Sequence, residues 1–257
     1  MPSSPERAGE PLRHRAADWH PKPFQALVTL GESTTAGGWS STPDRCWAAV
    51  LAALISDFQA EPVRFINSGI GANVISTRVP SYDHSGKPAA DERIQKHVVD
   101  HQPDLLVISY GLNDARGGTA TELFRQEMTD LIATIRHGCD PLIVLLSPYF
   151  MTDFTKGGAR WSHGGHDVFE TFCLVIEQIA RTHNCLYCNV YHAYGSAPWL
   201  VHEDGVHAND LGHRIVAHAI FQTLAQHCSG LAVRTKGLER SGERWRDESV
   251  LRSDYGY

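Results

Sequence analysis

Five short apolar runs punctuate the chain: Ala26–Leu30, Val63–Ile66, Leu105–Tyr110, Leu142–Ser147 and Leu186–Tyr191. Each is continuous rather than alternating, the pattern of strands buried on both faces of a parallel sheet. Between the runs, apolar residues recur at helical spacing. Thr42, a good N-cap, and Pro43, suited to a first helical position, open a pattern carried by Trp47, Val50, Leu51, Leu54, Ile55 and Phe58. A more polar helix is predicted over Ala90–His101. The capping-box signature Thr119-Ala120-Thr121-Glu122 opens a third, with Phe124, Met128, Leu131, Ile132 and Ile135 on one face. Val168, Phe172, Val175, Ile176 and Ile179 mark a fourth, and Ile215, Val216, Ala219, Ile220 and Leu224 a fifth after Asn209.

Strands alternating with helices imply right-handed crossovers and a three-layer α/β/α sandwich around a five-stranded, mainly parallel sheet. Ligands of such sheets bind beyond the carboxyl ends of the strands. Residues 1–23, rich in Pro, Arg, Ser and Glu, are expected as a disordered N-terminal segment. Residues 24–228 are expected as the α/β domain, and 229–257, charged and without apolar periodicity, as a tail.

The 257 residues are 42% hydrophobic, enough for one domain with a full core. Net charge is −6 with both signs mixed along the chain, so neither a nucleic-acid partner nor a polybasic membrane anchor is expected. There is no apolar run of the secretory kind and no run of membrane-spanning length, which makes the cytoplasm the default compartment and argues against membrane insertion. Six cysteines in so long a chain do not suggest a disulfide framework. Cys185 and Cys188 form a lone C-x-x-C inside a strand-like run without a second pair, a weak basis for redox or zinc chemistry.

Four clusters, three directly after strands and one before the last helix, carry the candidate chemistry. Gly31-Glu32-Ser33-Thr34-Thr35-Ala36-Gly37-Gly38 follows the first strand; it lacks the lysine of a phosphate loop and the spacing of a dinucleotide fingerprint, which leaves a serine on a tight turn. In Asn67-Ser68-Gly69-Ile70-Gly71-Ala72-Asn73, after the second strand, small residues let backbone N–H groups approach a ligand. Gly111-Leu112-Asn113-Asp114 places an asparagine amide, a possible oxyanion donor, after the third strand. In Asp204-Gly205-Val206-His207 the carboxylate can fold back onto the imidazole and fix its tautomer. Each cluster alone is as well read as an ordinary turn.

Together, and in this order, the four blocks resemble the SGNH/GDSL hydrolases over roughly Leu27 to Gln226. The resemblance implies that fold, an ester hydrolase without metal or organic cofactor, and a small-molecule acyl ester as substrate, short-chain or acetyl. It implies a triad of Ser33, His207 and Asp204, and an oxyanion hole from the Ser33 N–H, the N–H at Ala72 or Gly71, and the Asn113 side chain. Two positions depart from the family pattern: Glu32 and Thr34 stand where aspartate and leucine are usual, and Ala72 aligns with the glycine that donates to the oxyanion. Two other readings stay open. His163-Gly164-Gly165-His166-Asp167 and the histidines at 202, 207, 213 and 218 could serve a metal-dependent hydrolase, although no H-E-x-x-H spacing occurs, and the loop around Gly157–Gly165 reads as a lip over the sheet edge. A non-catalytic module binding an acyl group or sugar is the other. Trp39, Trp161 and Trp199 fall in loops that flank such a pocket or simply pack.

Overall fold

A computed structural model describes residues 17–241 and 248–256. Its elements run β1 (Ala26–Gly31), α1 (Ser33–Ala36), α2 (Trp47–Asp57), β2 (Arg64–Gly69), α3 (Tyr82–Ser85), α4 (Ala90–His97), β3 (Leu105–Ser109), α5 (Leu112–Arg116), α6 (Thr121–Gly138), β4 (Leu142–Leu146), α7 (His166–Thr182), β5 (Leu186–Cys188), α8 (Val190–Ala193), α9 (Asp210–His227), α10 (Val233–Ser241) and α11 (Ser249–Tyr255). The five strands pair in parallel in the order β2-β1-β3-β4-β5. Helices α2 and α9 pack together on one face of the sheet, and α4, α6 and α7 on the other. The expected three-layer sandwich is therefore the observed fold.

The apolar runs explain which strands are central. β1 and β3 are buried along their whole length, and Ile143–Leu146 of β4 likewise. β2 departs from the expectation of burial on both faces: as an edge strand carrying Arg64, Asn67 and Ser68, it is largely exposed or half-buried. β5 is shorter than its apolar run, because Asn189 ends it; the Asn189 side chain accepts from His192 N and starts α8 over Val190–Ala193.

Helix starts also shift. Thr42 makes no side-chain cap, and Pro43–Arg45 forms a separate 3₁₀ turn before α2 begins at Trp47. The Thr119 capping box does not form. Thr119 N instead donates to Asp114 O, and α6 starts at Thr121 behind an extended Ala120. The polar helix at Ala90 ends at His97, with Val99–His101 continuing as a 3₁₀ turn. Asn209 is the expected cap of α9, accepting from Leu211 N and Gly212 N at 3.0 Å each.

Of the N-terminal segment expected to be disordered, residues 1–16 lie outside the described residues. Asp18 and Trp19 are tied to the end of α9, through Ser229 N to Asp18 Oδ1 and Trp19 N to His227 O. The charged C-terminal stretch opens with a 3₁₀ turn, Ser229–Ala232, in which Leu231 is buried, and continues into α10. Among the described residues, no helix is long and apolar enough to cross a membrane. All six cysteines are buried free thiols.

The strand order reverses at β1, whose neighbours β2 and β3 lie on opposite sides of it, so the crevice for a ligand opens beyond the carboxyl ends of β1 and β3. The last residue of β2 matters there: a Cβ on Gly69 would fall 2.2 Å from Ala36 N, so α1 can close against β2 only with glycine at that place. Gly69→Ala is expected to lower unfolding stability by about 1–3 kcal/mol, the usual cost of overpacking. Gly237→Ala, where an added Cβ meets nothing within 4 Å, serves as the control and should be neutral or gain up to about 1 kcal/mol. Denaturant unfolding checks both; an unchanged Gly69→Ala midpoint would mean that α1 moves away without cost.

Candidate active site

Ser33 is the first residue of α1, directly beyond β1, and only 8% exposed. Its turn is held from two sides. Asn67 on β2 donates its side-chain N–H to Thr35 O at 2.8 Å. Glu32, wholly buried, reaches across to β3: Oε1 accepts from Gly111 N and Leu112 N, and Oε2 from Asn113 N, each at 3.1 Å. Gly111, with φ +123°, makes that bend possible, a conformation that an L side chain rarely adopts.

Burial, and then the charge of Asp114, push the Glu32 carboxyl well above the usual carboxylate range, against the three N–H bonds that favour its ionised form. Asp114 is also pushed up by burial, to about 7, although Ile75 N bonds its Oδ1.

Asn113 follows on α5. Its amide donates one N–H to Asn73 O at 3.0 Å, which fixes the plane of the amide and leaves the second N–H available. Asn73 is itself anchored, since its Oδ1 accepts from Arg93 and from the Tyr110 hydroxyl. The backbone at Ala72 takes φ +56°, the left-handed conformation that glycine adopts freely. Alanine is thus accommodated where the family pattern has glycine, at a local cost of about 1–2 kcal/mol.

The Asp204–His207 loop precedes α9. Asp204 Oδ1 accepts from Val206 N and His207 N at 3.1 Å, and Gly205, at φ +75°, lets the loop turn back on itself. The imidazole Nδ1–H then meets Asp204 Oδ2 at 2.5 Å, while Nε2 accepts from Ser33 Oγ at 2.7 Å. Burial raises the Asp204 carboxyl, but the bonds from His207 outweigh it and hold the group below its ordinary value. Burial of His207 outweighs the opposing pull of Asp204 and lowers the imidazole below its ordinary range. The result is a neutral base with a fixed tautomer, hydrogen-bonded to a hydroxyl.

All six residues expected at the site, Ser33, Gly71, Ala72, Asn113, Asp204 and His207, line one cavity of about 370 Å³. Trp39 and Trp161, placed by the sequence in loops that flank the pocket or pack, both line it. Trp39 lies flat on His207, ring centroids 3.6 Å apart and planes within 7°. Other contributors were not legible in the sequence. His213, weighed in the sequence as a possible metal ligand, is fully buried. Its Nδ1 accepts from Trp47 N and its Nε2–H donates to Gly38 O, pinning the turn that leads to Trp39. Arg116, Lys87 and Lys156 also line the cavity. Arg116 alone had a signal in the chain, standing one helical turn beyond Asn113. His166 belongs to an aromatic cluster with Phe150, Phe154 and Tyr191. Among the described residues, no group of three His, Cys, Asp or Glu side chains is placed to hold a metal ion.

The sequence matches the family model described as GDSL-like Lipase/Acylhydrolase family over residues 29–215. No curated protein matches it. Among solved structures, the chain is similar to the lipase/acylhydrolase from Enterococcus faecalis, with a TM-score of 0.62 and 20% identity over 78% of this chain and 95% of that one. It is also similar to an acetylxylan esterase from Geobacillus stearothermophilus, TM-score 0.59 and 18% identity over 81% and 95%. A two-domain esterase active on acetylated mannans, crystallised with mannopentaose, gives 0.59 and 22% over 79% of this chain and 49% of that one. At these identities the likeness is one of fold.

Glu32 gives the site's geometry a direct test. Glu32→Ala strands three buried N–H groups and is expected to destabilise the protein by roughly 3–5 kcal/mol in denaturant unfolding. A loss below about 1 kcal/mol would mean that water replaces the carboxylate, and that the clamp between β1 and β3 is dispensable.

Proposed function

This chain belongs to the GDSL-like lipase/acylhydrolase family and hydrolyses ester bonds, and from that premise we propose that Ser33, His207 and Asp204 are its catalytic triad and that a short acyl group is what it removes. The observation that carries the assignment is the unbroken relay from Ser33 Oγ to His207 at 2.7 Å and from His207 to Asp204 at 2.5 Å.

In this reading Ser33 Oγ attacks the ester carbonyl as His207 Nε2 takes its proton, and Asp204 steadies the imidazolium that forms. Negative charge developing on the carbonyl oxygen is met by the Ser33 N–H, the N–H of Ala72 or Gly71, and the second N–H of Asn113. His207 returns its proton to the leaving alcohol. Water, deprotonated by the same imidazole, then attacks the acyl-enzyme, and Ser33 recovers its proton as the acid departs. Trp39 shields one face of the imidazole and holds its ring plane.

The cavity is modest and supports a small acyl group such as acetyl. A shallow groove continues past Trp39 along Trp199, His202 and Leu211, and Trp199 is 72% exposed. Exposed aromatic faces of this kind suit a sugar ring as the alcohol side of the ester. The acetylated-polysaccharide esterases among the similar folds agree with that reading.

Ser33→Ala should lose several orders of magnitude in kcat on p-nitrophenyl acetate, and labelling by a fluorophosphonate probe with it. Unchanged turnover would end the nucleophile assignment, and an unlabelled wild type without turnover would favour a binding module. Asn113→Ala should lose on the order of a hundredfold in kcat with folding intact; an unchanged kcat removes it from the oxyanion hole. Because His207 works unprotonated and burial lowers its pKa, kcat/KM should fall on the acid side with a midpoint below the ordinary imidazole value of about 6.5. A midpoint above about 7 in the pH–rate profile would contradict the buried, neutral base.

A further inference from the structure

Two arginines are buried beside the site, and of the two it is Arg116, with fewer hydrogen-bond acceptors, that lines the cavity. Arg93 donates to Ser68 O, to Asn73 Oδ1 and to the Tyr110 hydroxyl. Arg116 is only 7% exposed, yet its one hydrogen bond runs from Nη2 to the carbonyl of Lys156. Its Nε, like that of Arg93, is buried without a partner, and among the described residues no carboxylate forms an ion pair with either arginine. Burial lowers its pKa, and Glu32, Asp153 and Asp204 act on it only through space. A guanidinium taken out of water without a counter-charge is costly, by several kcal/mol. Holding the 156–161 loop by one carbonyl uses one of its five N–H groups.

Arg116 lines the same cavity as Ser33 and His207, and so do Lys87 and Lys156. Lys87 is exposed and rests its Nζ on Gly71 O at 2.8 Å, and Lys156 is exposed on the opposite lip. The only acidic side chain in the lining, Asp204, is engaged by His207. Three cations thus converge on the cavity of a chain whose net charge is −6.

We propose that the substrate carries an anionic group, a carboxylate or a phosphate, and that Arg116 receives it while Lys87 and Lys156 draw it in. This assignment rests on the esterase reading above and names the class of ester that the site takes. The planar fork of a guanidinium matches two oxygens of a carboxylate or phosphate, and a substrate anion would supply the counter-charge that the protein does not. Exposed lysines at the rim raise the local concentration of an anion and lose that effect as salt rises.

The test uses matched acetyl esters that differ only in charge: 1-acetylglycerol against 1-acetylglycerol 3-phosphate, and a methyl O-acetylgalactoside against the corresponding galacturonoside. Wild type should prefer the charged member of at least one pair by tenfold or more in kcat/KM, with the preference shrinking at high salt. The pair that shows it tells phosphate from carboxylate. In Arg116→Gln the ratio of charged to neutral kcat/KM should collapse towards one, and in Lys87→Gln and Lys156→Gln it should fall severalfold. Equal kcat/KM within both pairs, or a ratio retained in Arg116→Gln, overturns the proposal.

Should Arg116→Gln not fold, inhibition of wild type decides. Inorganic phosphate competing with 1-acetylglycerol at constant ionic strength upholds the anion site, and no inhibition up to about 50 mM, far above the roughly millimolar affinity of a weak specific site, overturns it. Turnover of the neutral esters that vanishes in Ser33→Ala keeps the esterase reading standing whatever the charge preference. Absence of turnover on all four esters, together with absence of probe labelling, removes that reading and this one with it.

Discussion

The active edge of the sheet depends on one carboxylate. Glu32 accepts the N–H groups of Gly111, Leu112 and Asn113, and thereby joins the turn after β1 to the turn after β3. Ser33 follows Glu32 in the chain and Asn113 is the last of its three partners, so one side chain sets the proposed nucleophile and the proposed oxyanion donor against each other. A buried acceptor can hold three donors only if its charge is tolerated, and here burial and Asp114 both oppose ionisation. Three backbone donors stand against that opposition. The longer glutamate, where the family usually has aspartate, spans the distance to β3 with a flexible stem rather than with a closer approach of the two turns.

His207 reaches Ser33 from a loop 174 residues further along the chain and needs its own fixation. The carbonyl of Gly205 accepts from Thr152 N and Asp153 N, which ties the triad loop to the segment after β4. Ala208 bridges to Val201, and Asn209 caps α9 immediately afterwards. His207 is therefore held three residues from a helix start, in a loop whose backbone has little freedom. Trp39 adds a constraint on the ring itself, and His213 stabilises the turn that carries Trp39 by accepting from α2 and donating to Gly38. A histidine pushed down to about 4 by burial stays neutral across the working range, so this pin does not titrate with the base.

Much of this was legible in the sequence, for reasons that can be named. Continuous apolar runs declare buried parallel strands, and 3.6-residue spacing declares the long helices, because both are imposed by one sheet with two covered faces. The six candidate residues, which line one cavity, could be picked out because the chemistry asks for particular side chains after strands or just before the last helix. What stayed hidden depends on contacts distant in sequence. Thr119 looked like a cap but belongs to the preceding loop, and the apolar run at Leu186 continued past the point where Asn189 turns the chain into a helix. Trp39 on His207 joins residues 168 positions apart, and nothing local to either predicts the stack. The exposed face of β2 was misjudged because edge position is a property of the sheet and not of the strand.

The site divides into parts that differ in how much the fold constrains them. Ser33, Asn113 and the Asp204–His207 pair are held in place by strand ends, by Glu32 and by the cap of α9. The opposite wall, from Lys156 through Trp161, is an exposed lip with Gly157 and Gly158 at φ +92° and +81°. It is joined to the rigid part through Trp161, which packs against the core, and through Arg116, which donates to Lys156 O and accepts from His163 N at its own carbonyl. A residue in that position senses both halves: its backbone belongs to the helix that presents Asn113, and its guanidinium faces the lip. Chemistry common to a family can then be conserved at the sheet edge while the charge and shape of the lip select the ester. Arg116 is the place where this chain can couple the two.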